Sequence, residues 1–201
     1  MSQLLDMVSQ QLGGQNLTQI SRQIGADERS TQSAIEMALP VLLGGLTRNS
    51  AQPEGAASLD RALANHDGGL LDNLGAMLGG GGGGLGAAGA GILGHILGQR
   101  RTPVEQGIGR ASGLDSQQVG RLLMLLAPIV MAALSRMKQQ QNVDSTTLPD
   151  VLRRERDDVA RRNPTAGGLA GMLDADGDGN IADDLARMAP GMLGGLFGGR
   201  R

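Results

Sequence analysis

The chain has 201 residues and a formal net charge of -2, which gives no overall attraction to nucleic acid or to an anionic membrane. It contains no cysteine, which excludes disulfides, zinc–thiolate sites and a thiol nucleophile. It also has no tryptophan or tyrosine and one phenylalanine, so its core must be aliphatic, a composition that favours helix-on-helix packing over a sheet.

Residues 1–50 predict a unit of three helices. Apolar side chains recur at helical spacing in two short segments, each of which therefore predicts an amphipathic helix. Gly25 follows the second segment where a left-handed residue ends a helix, and Asp27 is placed to cap the next one. Pro40 lies inside the third apolar run and should kink that helix. The two stripes are Leu4, Leu5, Val8 and Leu12, then Leu17, Ile20 and Ile24.

Residues 92–141 repeat this unit without a gap at an offset of 88 positions, the separation of Gly25 from Gly113. Because the turn residues recur together with the apolar pattern, we interpret the pair as a duplicated helical unit. The matched pairs include Ile20 with Ile108, Arg22 with Arg110, Gly25 with Gly113, Asp27 with Asp115, Pro40 with Pro128, and Leu46 with Leu134.

The third helix of the second unit has two features of its own. Gln118 stands three residues after Asp115, the spacing of a capping box. Residues 122–134 are apolar on nearly every face, and such a helix is either buried centrally or embedded in a membrane. The run is short for a membrane span, so central burial is predicted.

Three further segments complete the predicted organisation. Residues 51–91 predict short helices, one capped by Ser58, followed by a glycine-rich linker at 79–91. Residues 142–165 predict a charged helix with Pro149 near its start. Its arginines alternate with acidic residues, which indicates a solvated face and not a nucleic-acid patch. Residues 166–201 form a glycine-rich tail that contains an aspartate-rich loop.

The aspartate-rich loop at residues 173–185 has the ligand spacing of a calcium site. Aspartates occupy the first, third and fifth ligand positions and glycine the sixth, which suits a hard cation that takes six to eight oxygens. Leu185 stands where an EF-hand places its bidentate glutamate, so two aspartates before it would close a shortened loop. The alternative is a solvated acidic loop or a helix N-terminus stabilised by the dipole. The predicted ligands are Asp174, Asp176, Asp178, Asn180, Asp183 and Asp184.

Other catalytic arrangements are sparse. His66 and His95 are the only histidines, and neither has a partner at metal-ligand spacing, so both are predicted to be structural or exposed. The glycine run lacks the lysine and hydroxyl residue of a phosphate loop. We therefore predict that the protein is not an enzyme. An enzyme with a catalytic metal held by the aspartates is the weakest alternative.

The motifs together resemble a known family. The runs "LLDMVSQQLGG", "ALPVLLGGL", "GILGHILG", "LAPIVMAAL", "LPDVL" and "LDADGDGNIADDLARM" are similar to those of the bacterial YidB-like proteins, domain of unknown function 937. The resemblance implies an all-helical bacterial protein, often with this aspartate-rich tail, and no established activity.

The sequence predicts a non-enzymatic structural or interaction protein that self-associates or binds another protein, without nucleic acid. Closely spaced small residues, Gly44 with Gly45 and Ala132 with Ala133, favour close helix approach between subunits. The alternative is a peripheral membrane-active protein that inserts residues 69–78 or 92–97. The low number of basic residues in these segments argues against strong electrostatic recruitment to a membrane. The N-terminus has no secretory signal pattern, so the cytoplasm is the expected location.

Overall fold

The computed structural model describes residues 3–65, 69–79 and 83–162, and their regular structure is entirely helical. The predicted all-α class is therefore confirmed for these residues. They form α1 (Gln3–Leu12), α2 (Gln15–Ile24), α3 (Glu28–Asn49), α4 (Pro53–Asn65), α5 (Gly69–Asp72), α6 (Leu74–Gly79), α7 (Gly83–Ile96), a 3₁₀ turn (Gly98–Arg100), α8 (Arg101–Ser112), α9 (Ser116–Gln141) and α10 (Leu148–Arg162).

The predicted turn chemistry is confirmed at both places where it recurs. Gly25 ends α2 with φ 74°, and Gly113 ends α8 with φ 79°, both in the left-handed region that favours glycine. Asp27 accepts a hydrogen bond from a backbone N–H in the first turn of α3. Asp115 and Gln118 form a reciprocal capping box at the start of α9.

Helix α9 is the centre of the fold. It packs against α1, α2, α3, α4, α5, α7 and α8, and most of its residues are buried. Among the described residues, Ser116–Gln141 is the one helix long and apolar enough to cross a membrane, and 83% of its most apolar window is buried inside the protein. The predicted central burial of this run is therefore confirmed.

The two prolines inside long helices lie in the core. Pro40 is buried in α3 and Pro128 is buried in α9, and both helices continue through these positions. The kinks expected at the two prolines remain predictions.

The predicted glycine-rich linker is wrong from residue 83 onward, because α7 occupies Gly83–Ile96. Gly89 allows this helix to lie directly against α9. A Cβ at Gly89 would lie 1.7 Å from the backbone oxygen of Met124, so the two backbones approach as only glycine permits. Low side-chain bulk, which suggested a linker in the sequence, instead enables close helix packing.

The predicted N-cap at Ser58 is also wrong, because α4 begins at Pro53 and Ser58 lies within it. Proline suits the first position of a helix, where its missing N–H leaves no intrahelical bond unmade. The predicted charged helix is confirmed as α10, whose stripe of Leu148, Leu152 and Val159 is buried.

Candidate functional site

The predicted metal ligands lie outside the described residues. All six follow Arg162 in the sequence: Asp174, Asp176, Asp178, Asn180, Asp183 and Asp184. His66 also lies outside the described residues, between the ranges 3–65 and 69–79. Within residues 3–65, 69–79 and 83–162, no group of three or more histidines or carboxylates could hold a metal ion. A candidate site among the described residues must therefore be sought in their concave surfaces.

A pocket of about 430 Å³ opens between the C-terminal end of α3, one side of α4 and the C-terminal end of α7, with Met131 of α9 also in its wall. Its volume lies within the range of roughly 300–1,000 Å³ that small-molecule pockets occupy. The wall is mainly aliphatic, with a few polar side chains. The lining residues are Leu46, Asn49, Gly55, Ser58, Leu59, Ala62, Ile92, His95, Ile96 and Met131.

Two glycines bring the walls of this pocket together. A Cβ at Gly45 would lie 2.6 Å from Cγ2 and 2.9 Å from the carbonyl oxygen of Ile96, so glycine lets α7 approach α3. A Cβ at Gly55 would lie 1.8 Å from the carbonyl oxygen of Asn49, so glycine also lets the start of α4 approach the end of α3. The relative positions of the three helices therefore depend on backbone contacts.

Polar groups fix the ends of the same helices. The Asn49 side-chain amide donates a hydrogen bond to the backbone carbonyl of His95, which joins α3 to α7. The Arg61 guanidinium donates to the Ser58 hydroxyl at 3.2 Å within α4. Asn49 and Ser58, which take part in these bonds, add polar side chains to the otherwise aliphatic lining of the pocket.

The pocket is uncharged apart from one titratable side chain. None of its ten lining residues is lysine, arginine, aspartate or glutamate, and His95 is exposed, as the sequence predicted. No hydrogen bond joins Ser58 to His95, so these two side chains do not form a nucleophile and base pair of the kind that activates serine. The arrangement offers contacts for binding, and the prediction of a non-enzymatic protein stays a prediction.

The small residues predicted to serve contacts between subunits have intramolecular roles in the structure. Gly45 contacts Ile96, and Ala132 and Ala133 are fully buried in α9. Gly44 is half-buried, with open space around the position of a Cβ. The sequence thus signalled close helix approach correctly at Gly45, but it could not indicate which helix would approach.

The helices considered for membrane insertion direct apolar side chains into the protein. Leu71, Leu74 and Leu78 are buried in α5 and α6, and Leu93 and Ile96 are buried in α7. Insertion of these side chains into a bilayer would require the helices to leave the core, with loss of the apolar burial that stabilises the fold.

A polar contact joins the first and last described helices. The Glu155 carboxylate is buried and accepts a hydrogen bond from the Leu4 backbone N–H at 3.1 Å, which satisfies an amide in the first turn of α1. Arg162 Nη1 contacts Asp6 Oδ1 at 2.6 Å, and this hydrogen bond lowers the pKa of Asp6. Arg162, the last described residue, therefore lies beside α1.

The comparisons with known proteins identify a family whose function is unknown. No curated protein and no solved structure matches the chain. A family model described as "Bacterial protein of unknown function (DUF937)" matches residues 6–137, more than half of the chain, including the first unit, α7, α8 and most of α9. The aspartate-rich loop lies beyond the matched residues. The chain belongs to this family of bacterial proteins, DUF937.

Proposed function

We propose that the protein is a non-enzymatic helical interaction protein that self-associates and binds calcium through its C-terminal loop, residues 173–185. The observation that carries the proposal is the calcium-type spacing of Asp174, Asp176 and Asp178 in the sequence. Near-complete burial of the large apolar side chains within the described helices bears on where association occurs. Met77, 39% exposed, is the one exposed large hydrophobic residue among them. A surface of this kind offers little apolar area for assembly, so we assign association to the tail.

The sequence of the tail supports this assignment. Residues 192–197 contain Met192, Leu193, Leu196 and Phe197, the last being the only aromatic residue of the protein. An apolar segment of this kind supplies the hydrophobic area that interfaces between subunits use. The calcium-type loop precedes it in the chain, so metal binding would act next to the associating residues.

Charge repulsion in the loop supports the calcium part of the proposal. Five aspartates occur within residues 174–184, and their carboxylates repel one another when no cation lies between them. Calcium would remove this repulsion by accepting oxygen ligands from several of them. Binding without the glutamate of a full EF-hand should be weak to moderate.

The test is calorimetric titration of calcium into chelator-stripped protein, with light scattering before and after the titration. The variant Asp176→Ala, Asp178→Ala removes two predicted ligands. The matched control Asp150→Ala, Asp157→Ala removes the same charge from exposed ion pairs on α10, which contribute little to stability. The proposal predicts binding in the natural protein and the control, its loss in the ligand variant, and a change in assembly with calcium.

Two results would contradict separate parts of the proposal. No heat of calcium binding in the natural protein removes the metal site. A strictly monomeric protein at high concentration, with and without calcium, removes self-association.

A further inference from the structure

We propose that the pocket between α3, α4 and α7 binds a small uncharged molecule that has an apolar body and one hydrogen-bonding group. This inference is independent of calcium binding and of the tail, because every residue that carries it lies in α3, α4, α7 or α9. It assigns a ligand class to a site for which the sequence gave no signal.

The size of the pocket sets the size of the ligand. Interiors of proteins pack densely, with few voids larger than a water molecule. An apolar cavity of about 150 Å³ is enough to hold benzene, so a pocket of about 430 Å³ holds a molecule of two or three rings or an aliphatic chain of similar volume.

The walls of the pocket are preformed. Gly45 and Gly55 place backbone atoms of adjoining elements at distances that no larger residue allows, and Asn49 ties α3 to α7. Helices held by backbone contacts have little freedom to move inward and fill the space. A site that already has its bound shape loses less conformational entropy when a ligand enters, which favours affinity.

The absence of charge in the lining selects an uncharged ligand. Six of the ten lining residues have apolar side chains, and Ala62 and Ile92 among them are only partly buried, so they present apolar surface to the pocket. A charged group placed against this surface would lose its hydration, and no lining lysine, arginine, aspartate or glutamate would replace it. Arg61, which does not line the pocket, already donates to the Ser58 hydroxyl. The polar side chains of Asn49, Ser58 and His95 can accept or donate a hydrogen bond, which provides for the single polar group.

The experiment compares two fluorescent probes that share one body. N-phenyl-1-naphthylamine is uncharged and has one N–H, and 8-anilino-1-naphthalenesulfonate carries the same rings with a sulfonate. The protein has no tryptophan or tyrosine, so its own fluorescence is negligible. We expect saturable binding of the uncharged probe at one site per chain and at least about tenfold weaker binding of the sulfonate.

A matched pair of substitutions locates the site. Ala62→Met places a longer side chain in the pocket, and Ala57→Met places the same side chain on the exposed face of the same helix. We expect the first to weaken binding of the uncharged probe about tenfold and the second to leave it unchanged. Ser58→Met, at a second lining position, gives the same test if Ala62→Met does not fold, as judged by far-UV circular dichroism.

Four results would overturn the proposal. The first three are binding of the uncharged probe that does not saturate, equal affinity for the two probes, and equal affinity of Ala62→Met and Ala57→Met for the uncharged probe. Dissociation of an oligomer by Ala62→Met, measured by light scattering in the absence of probe, would also overturn it and assign the pocket to a second copy of the chain.

Discussion

Helices α3 and α9 begin with the same local chemistry and end in different surroundings. Each follows a left-handed glycine and an aspartate cap, and each contains one buried proline. Between residues 122 and 137 of α9, only Met124 and Arg136 are partly exposed, whereas α3 keeps Glu36 in solvent within its apolar run. The difference teaches that capping and turn residues determine where a helix begins, while its position in the fold determines how much of it is buried.

The two turns that precede these helices are also in contact. The Gln118 side-chain amide donates to the carbonyl oxygen of Gly25 at 2.6 Å, so the capping box of α9 reaches the residue that ends α2. Gly25 and Asp27 are the residues that align with Gly113 and Asp115. The ends of α2 and α8 and the starts of α3 and α9 keep the offset of 88 positions, which agrees with the interpretation of a duplicated unit. That interpretation stays a prediction.

The largest loss of stability is expected when the matched leucines of α3 and α9 are replaced by alanine. Leu134 is fully buried in α9, and Leu134→Ala should lower the free energy of unfolding by about 4 kcal/mol through lost transfer energy and a new cavity. Leu46, its counterpart in α3, lines the pocket, so part of the space beside it is already empty. We expect Leu46→Ala to cost less, about 2 kcal/mol. Urea unfolding followed by far-UV circular dichroism measures both, and equal losses would contradict the presence of empty space beside Leu46.

The next effect concerns the contact of α7 with the central helix. Gly89→Ala would drive a methyl group into the backbone of Met124 and should destabilise the protein by about 3 kcal/mol through overpacking. Gly91→Ala is the control, because no atom lies within 4 Å of its added Cβ and alanine favours the helix. Thermal unfolding should therefore shift downward for Gly89→Ala and slightly upward for Gly91→Ala. An unchanged Gly89→Ala variant would mean that α7 does not lie on α9 as described.

A smaller effect is expected at the helix caps. Asp115→Ala removes the hydrogen bond from the Gln118 backbone N–H and should cost about 1 kcal/mol. Asp27→Ala should cost a similar amount, because Asp27 accepts the equivalent hydrogen bond from the Ser30 backbone N–H. The bond that Gln118 accepts from the Asp115 backbone N–H does not need the aspartate side chain. Urea unfolding measures both variants, and a loss of stability at one cap only would contradict this expectation.

The smallest effect is a pH dependence of stability at Asp144, in the turn that precedes α10. Hydrogen bonds from Thr146 and Thr147 lower the pKa of Asp144 from 3.8 to about 2. Because the folded-state pKa is depressed, the contribution of Asp144 to stability is present above about pH 4 and is lost as the pH falls through about 2. The difference in urea midpoint between the natural protein and Asp144→Asn should therefore shrink over this range. A difference that stays constant from about pH 5 to about pH 2 would exclude this titration.

The sequence predicted those parts of the fold that local chemistry determines. Gly25, Asp27, Gly113 and Asp115 marked helix ends, and the continuous apolar run of α9 marked its burial. The glycines of α7 led to the wrong prediction of a linker. Their small size is explained by the close Met124 backbone at Gly89, which only the tertiary structure shows.

The pocket could not be predicted for the same reason. Asn49 and Gly55 are at least 40 positions from His95 in the sequence and carry no motif, and helix packing brings them to one pocket with it. Pattern-based reasoning finds ligands that are close in the chain, as in the aspartate-rich loop. A site formed where three helices meet requires the tertiary structure.

Native-state amide hydrogen exchange tests the central claim most directly, namely that α9 is the interior helix around which the others pack. The account predicts that amides of residues 119–137 exchange slowest, only through global unfolding, and that α3 exchanges faster where Glu36 faces solvent. Equal protection along α3 and α9, or earlier exchange in α9, would contradict it.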